Sequence, residues 1–106
     1  MSKKIKIWID DVRPIPNTEE YIAVKSVNEA KQLIESIEKG NTCLIIECID
    51  IDHDAGDYAY DGGDYIKLLD WLEMRGSCYP IHIHSMNPVG IANMRAIIKN
   101  NGWLEI

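Results

Sequence analysis

Strand-like and helix-like segments follow one another here in the order β-β-α-β-α-β-α-β, which predicts an α/β fold built on a mainly parallel sheet. Two further observations agree. The run Cys43-Leu44-Ile45-Ile46 is continuously apolar, as in a strand covered on both faces. Three strand candidates end in polar groups fit for chemistry: Asp10-Asp11, Asp52-His53-Asp54 and His84-Ser85. At 106 residues the chain has the length of one domain, residues 1–106.

Each element has a local cause. Lys4 to Ile9 alternates polar and apolar, then turns apolar, which predicts the first strand. Val12 to Thr18 carries Pro14 and Pro16 and is a loop. Tyr21 to Lys25 is a short second strand. Ser26 and Glu29 form a capping box before Ala30, Leu33, Ile34 and Ile37 at helical spacing, and Gly40 closes that helix. Thr42 to Asp52 is the strongest strand. Ala55 to Gly63 is a loop, and Asp64 to Arg75 a helix with Ile66, Leu69 and Leu72 on one stripe, closed by Gly76. Tyr79 to His84 is a fourth strand. Asn87-Pro88 reads as an N-cap and first helical position, opening a helix that ends at Asn101-Gly102. Trp103 to Ile106 is a short last strand. The first two strands are joined by fewer residues than a parallel crossover usually takes.

Composition narrows the function. Eleven basic residues against seventeen acidic ones give a net charge of −6, which argues against a DNA or RNA groove. A small phosphate-containing ligand such as a nucleotide stays open. No apolar run approaches the roughly 18 residues of a membrane span. Met1 to Lys4 leads straight into the first strand with no signal-peptide pattern, and Cys43, Cys48 and Cys78 form no CxxC. A cytoplasmic protein with reduced, core-packed cysteines is expected.

In open α/β sheets, ligands bind beyond the carboxyl ends of the strands. That edge should gather Asp10, Asp11, Asp52, Asp54, His53, His84 and Ser85. From Gly40 to Ile66 there is no Lys or Arg, while seven of the seventeen acids lie there. Carboxylates about 4 Å apart repel by roughly 4 kcal/mol at an effective dielectric of 20, so some must share protons or hold a cation. Hard oxygen donors suit Mg²⁺ or Mn²⁺ better than zinc. Asp50, Asp52, Asp54 and Asp61 also sit at the first, third, fifth and twelfth places of an EF-hand loop. Ala55 stands where that loop needs glycine, however, and the segment before it reads as strand.

Among the histidines, His82 lies deeper in its strand and reads as a structural hydrogen-bonder. His53 and His84 stand at strand ends beside carboxylates and are candidate proton donors, His84 the preferred one. Ser85 lacks a GxSxG context and is read as a hydrogen-bond donor to phosphate. The helix opened by Asn87 turns its positive end to the same place. Arg13 is either a salt-bridge partner or a phosphate clamp. Trp8 and Trp71 read as packing residues.

Three segments in order carry a family resemblance: Ile7-Trp8-Ile9-Asp10-Asp11-Val12-Arg13-Pro14, Asp52-His53-Asp54-Ala55-Gly56, and Ile83-His84-Ser85-Met86-Asn87-Pro88-Val89-Gly90 with Asn93-Met94. Across nearly the whole chain the sequence resembles the cyclic-phosphate processing receiver domains. The resemblance implies a receiver-like (flavodoxin-like) three-layer sandwich with about five strands in the order 2-1-3-4-5. The first helix would be lost or degenerate, and through Ile106 there is neither a closing helix nor a lysine after the last strand. It implies metal ligands at Asp10, Asp11 and Asp52, and features particular to the cyclic-phosphate group at His53, Asp54 and His84. The expected function is metal-assisted hydrolysis or processing of a cyclic phosphate, of a nucleoside above all. In that reading His84, His53 and Asp54 serve catalysis, and Arg13, Ser85 and Asn87 hold substrate. The alternative is a non-catalytic module that binds a cyclic nucleotide or is phosphorylated on Asp52.

Overall fold

The structure is a computed structural model that describes residues 3–40 and 43–106. Four strands form one sheet: β1 (Lys3–Ile9), β2 (Tyr21–Val24), β3 (Leu44–Ile51) and β4 (Ile81–Ile83). Among the described residues three α-helices accompany them: α1 (Val27–Glu38), α2 (Ile66–Arg75) and α3 (Pro88–Asn100). The strand order is β2-β1-β3-β4, and every pairing is parallel. A fifth strand was expected at Trp103 to Ile106. That segment does run beside β4, but it pairs only through an isolated parallel bridge between Ile81 and Glu105. The Thr42 start expected for the third strand lies outside the described residues.

Local signals account for the helix ends. The Ser26 side chain accepts from the Glu29 amide, and the Glu29 carboxylate accepts from the Lys25 amide, one residue further back than in a standard capping box. Asn87 caps α3 by accepting from the Gly90 amide, with proline in the first turn.

The three crossovers that contain helices all travel the same way across the sheet. Right-handed crossovers therefore put α1, α2 and α3 on one face. Burial agrees: Ile5, Ile7, Ile9, Ile46, Ile49, Ile51 and Ile81 pack in one core with Val27, Ile34, Leu68, Leu72, Met94 and Ile98. The β1–β2 connection runs in the opposite direction and would cover the other face, but it holds no helix. Among the described residues the helices thus make one layer, where a three-layer sandwich was expected. The apolar start of β3 is correspondingly covered on one face only, and Ile45 is exposed.

A bulge in β3 sets what faces where. Ile5 pairs with Ile46 but Lys6 pairs with Cys48, so Glu47 is an extra residue. Past the bulge, Ile49 and Ile51 return to the core, and Cys48 and Asp50 turn to the helix-free face beside Lys6 and Trp8. The expectation that all three cysteines are core holds for Cys48 alone. Cys43 and Cys78 are exposed.

Candidate functional site

The carboxyl ends of β1 and β3 are neighbours, and β4 lies on the far side of β3. This brings Asp10, Asp11 and Asp52 together, each offering one carboxylate oxygen within 4.8 Å of the others. Three oxygen donors of this charge fit a hard divalent ion. Burial first, and then the neighbouring Asp10 and Asp52 charges, push the Asp11 carboxyl above its usual range. A dication would relieve that repulsion. Glycine at position 56 makes room for the cluster: it adopts φ +54°, and a Cβ there would come 2.3 Å from Asp11 Oδ2.

Asp10 is almost wholly buried and tightly held. Its Oδ1 accepts from the Val12 and Arg13 amides at 2.9 and 2.8 Å, and its Oδ2 from His84 Nε2 at 2.9 Å. Burial works against its charge, yet these bonds outweigh it and hold the pKa below normal. Asp52 Oδ1 accepts from the His53 amide at 2.7 Å.

His84 lies in the site in an unexpected role. Nε2 reaches Asp10, and Nδ1 reaches Asp50 Oδ1 at 2.6 Å. Ionised carboxylates only accept, so both ring nitrogens donate and the ring is an imidazolium. Burial disfavours that charge, but the bonds to Asp50 and Asp10 prevail and raise its pKa. Trp8 stacks on the ring, centroids 4.0 Å apart and planes 3° from parallel, and donates its own Nε1 proton to the Arg13 carbonyl at 3.0 Å. A cation against an indole face is favourable. His84 thus arrives with no spare nitrogen, which counts against its choice as the preferred proton donor.

His53 has other partners. Nδ1 meets Asp54 Oδ1 at 2.8 Å, and the ring lies against Gly90 in the first turn of α3. The Asn87 side-chain Nδ2 stands 3.4 Å from both Asp54 oxygens and 3.5 Å from His53 Nδ1. Asp54 therefore belongs to a second cluster with His53 and Asn87, beside the acidic triad. Ser85 Oγ accepts from the Asn87 amide at 3.1 Å and so shapes the turn into α3. Arg13 Nη1 donates to the His84 carbonyl at 3.1 Å, tying the β1–β2 loop to the end of β4. His82 Nδ1 shares Asp50 Oδ1 at 2.9 Å, the structural bonding expected of it.

The EF-hand spacing is not used as a loop. Asp50 is buried in β3 among histidines, and Asp61 accepts from Ser26 Oγ and Asn28 Nδ2 at the start of α1. Sequence reasoning passed over two residues of the site. Asp50 was one; an acid between Ile49 and Ile51 in an apolar strand must be paired if buried, and His82-x-His84 was the available partner. Lys25 was the other: its Nζ donates to the Asp11 carbonyl at 3.3 Å and lies over the Tyr58 ring.

A parallel sheet ordered in this way, with an acidic triad gathered where β1 and β3 end, defines a receiver-like domain. The model of one receiver family, the cyclic-phosphate processing receiver domain, matches residues 5–100, and the chain belongs to that family. No curated protein and no solved structure matches it. No helix among the described residues is long and apolar enough to cross a membrane.

Proposed function

We propose that this domain hydrolyses a cyclic phosphodiester, of a nucleoside above all, at a divalent metal held by Asp10, Asp11 and Asp52. The convergence of these three carboxylates at one sheet edge is the observation that carries the reading. When bound, Mg²⁺ or Mn²⁺ supplies charge neutralisation for the phosphate and a nucleophilic water at neutral pH.

The remaining work falls to the protein. Water adds to phosphorus, one ring P–O bond breaks, and the leaving oxygen takes a proton, giving an acyclic monoester. His53 is the group that moves this proton. Asp54 fixes its Nδ1–H, which assigns the transfer to Nε2, and the proton shed by the water restores the imidazolium. His84 acts through Asp10: it holds the carboxylate in one orientation and keeps it ionised. Arg13, Ser85 and Asn87 remain the groups proposed to meet phosphate oxygens. Arg13 is the exposed one and has donors to spare beyond its bond to the His84 carbonyl.

Incubation with a panel of 2′,3′- and 3′,5′-cyclic nucleotides, with Mg²⁺ or with chelator, tests the proposal. Ring opening that requires the metal supports it. Tight binding of a cyclic nucleotide with no product would leave a binding module instead.

A further inference from the structure

A polar cleft of about 540 Å³ opens beside the triad, between α1 and the single turn of 3-10 helix Gly56–Tyr58. Its volume falls within the roughly 300–1,000 Å³ usual for small-molecule sites. Lys25 and Tyr58 line it on the side toward the triad. Lys25 Nζ bonds the Asp11 carbonyl, and Gly56, two residues before Tyr58, abuts the Asp11 carboxylate. The cleft and the acidic site are therefore separated by one side chain and one turn of backbone.

We infer that this cleft binds the nucleoside part of the cyclic-phosphate substrate, an inference that rests on the function proposed above. Three features select that ligand class. Tyr60 lines the cleft and is 84% exposed, a large aromatic left open at its edge, and Tyr58 stands with it. Bases stack on such rings. Asn28, Gln32 and Glu35 recur on one face of α1; Asn28 Nδ2 is taken by Asp61, and the Gln32 amide and Glu35 carboxylate present donors and an acceptor to a planar hydrogen-bonding edge. The lining carries two lysines against three acids, which suits a neutral base and sugar better than a polyphosphate.

The cleft is also built in advance. Asp61 accepts from Ser26 Oγ at 2.5 Å and from Asn28 Nδ2 at 3.1 Å, and its carbonyl accepts from the Asn28 amide at 3.1 Å. Tyr65 donates its hydroxyl proton to the Lys25 carbonyl at 2.7 Å. These bonds lock the start of α1 to the loop after β3, so the two walls need not be ordered when a ligand arrives.

The test uses three kinds of probe on the whole protein: free ribonucleosides, nucleoside 2′,3′-cyclic phosphates, and a base-free ribose 2′,3′-cyclic phosphate. Binding is read by NMR shifts and calorimetry in the wild type, Tyr60→Ala and Gln32→Ala. The expected result is that nucleosides shift the Tyr58, Tyr60 and Gln32 resonances. Tyr60→Ala should weaken nucleoside cyclic phosphate binding about ten-fold or more, as loss of a stacked base does. Binding of the base-free compound should stay at the wild-type level. Nucleosides that bind in the cleft when no cyclic phosphate is bound or opened would uphold the cleft and remove the hydrolase. Cyclic phosphates opened equally well with and without a base, and untouched by Tyr60→Ala, would remove the cleft and keep the hydrolase. Absence of any cleft shift at millimolar nucleoside would overturn the inference.

Discussion

Asp50 and His84 are 34 residues apart in sequence and 2.6 Å apart in space, joined carboxylate to imidazole. The same ring, its side chain 9% exposed, reaches on to Asp10, so one cation holds two buried carboxylates, one in β3 and one just past β1. Removing it should leave Asp10 with its two backbone donors alone and Asp50 with His82 alone. His84→Ala is expected to cost about 3–5 kcal/mol, the usual penalty for breaking a buried ion pair from one side. His84→Gln, which keeps one donor, should cost less. Urea denaturation of the two variants beside wild type measures both, and equal, small losses would contradict this arrangement.

Stability should peak in mildly acidic solution. Burial alone would raise the Asp50 pKa, but bonds from His84 and His82 lower it. Its stabilising effect is complete above the unfolded value of about 3.9 and is lost as pH falls through the lower folded value. His84 is raised despite burial. Its contribution is complete below the unfolded value of about 6.5 and is lost as pH rises through the folded value. Thermal denaturation in chelator should give the highest melting temperature between about pH 4 and 6.5. His84→Gln should flatten the alkaline side of the curve.

Gly90 should be intolerant of a methyl group. A Cβ there would lie 2.4–2.8 Å from three atoms of the His53 ring. Gly90→Ala should raise helix propensity yet destabilise the protein by about 1–3 kcal/mol through overpacking. It should also displace the imidazole, which altered His53 ring NMR shifts would report. An unchanged His53 signal would contradict the packing.

How much of this was legible in the sequence follows from how local each cause is. The order of the first four strands and the three helices, the Asn87-Pro88 helix start and the meeting of Asp10, Asp11 and Asp52 were readable, because periodicity, caps and the parallel topology fix them. The helix-free face was half readable. The missing helix between β1 and β2 was foreseen, but the apolar run of β3 suggested cover on both sides. The bulge at Glu47 was not readable, since nothing in Ile46-Glu47-Cys48 marks an extra residue. That bulge turns Asp50 toward His82 and His84. The role of His84 therefore depends on a register that the sequence does not display, and the pairing of His53 with Asp54 depends on rotamers that it does not display either.

The triad should respond to metal in two opposite ways. Without metal, Asp11→Asn should raise the melting temperature, because the carboxyl is pushed up by burial and by Asp10 and Asp52. With Mg²⁺ or Mn²⁺ at a hundred times the dissociation constant, wild type should gain about 2.7 kcal/mol, or roughly 10 °C or more. Asp11→Asn and Asp52→Asn should lose most of that gain. Differential scanning fluorimetry with and without chelator reads both effects. A wild type indifferent to every divalent ion would take the metal out of the proposed chemistry.

In the proposed reaction the acidic triad and His53 together open a cyclic phosphate. Phosphorus NMR on a nucleoside 2′,3′-cyclic phosphate follows the ring directly, since the strained cyclic ester and the monoester resonate apart. Wild type with Mg²⁺ or Mn²⁺ should convert one signal to the other and stop when chelator is added. Asp52→Asn should abolish conversion, and His53→Ala should slow it by about a hundred- to ten-thousand-fold, the usual worth of a general acid, with ligand affinity kept. A cyclic signal that persists unchanged with the wild-type protein and metal, or conversion at full rate in His53→Ala, would contradict the account.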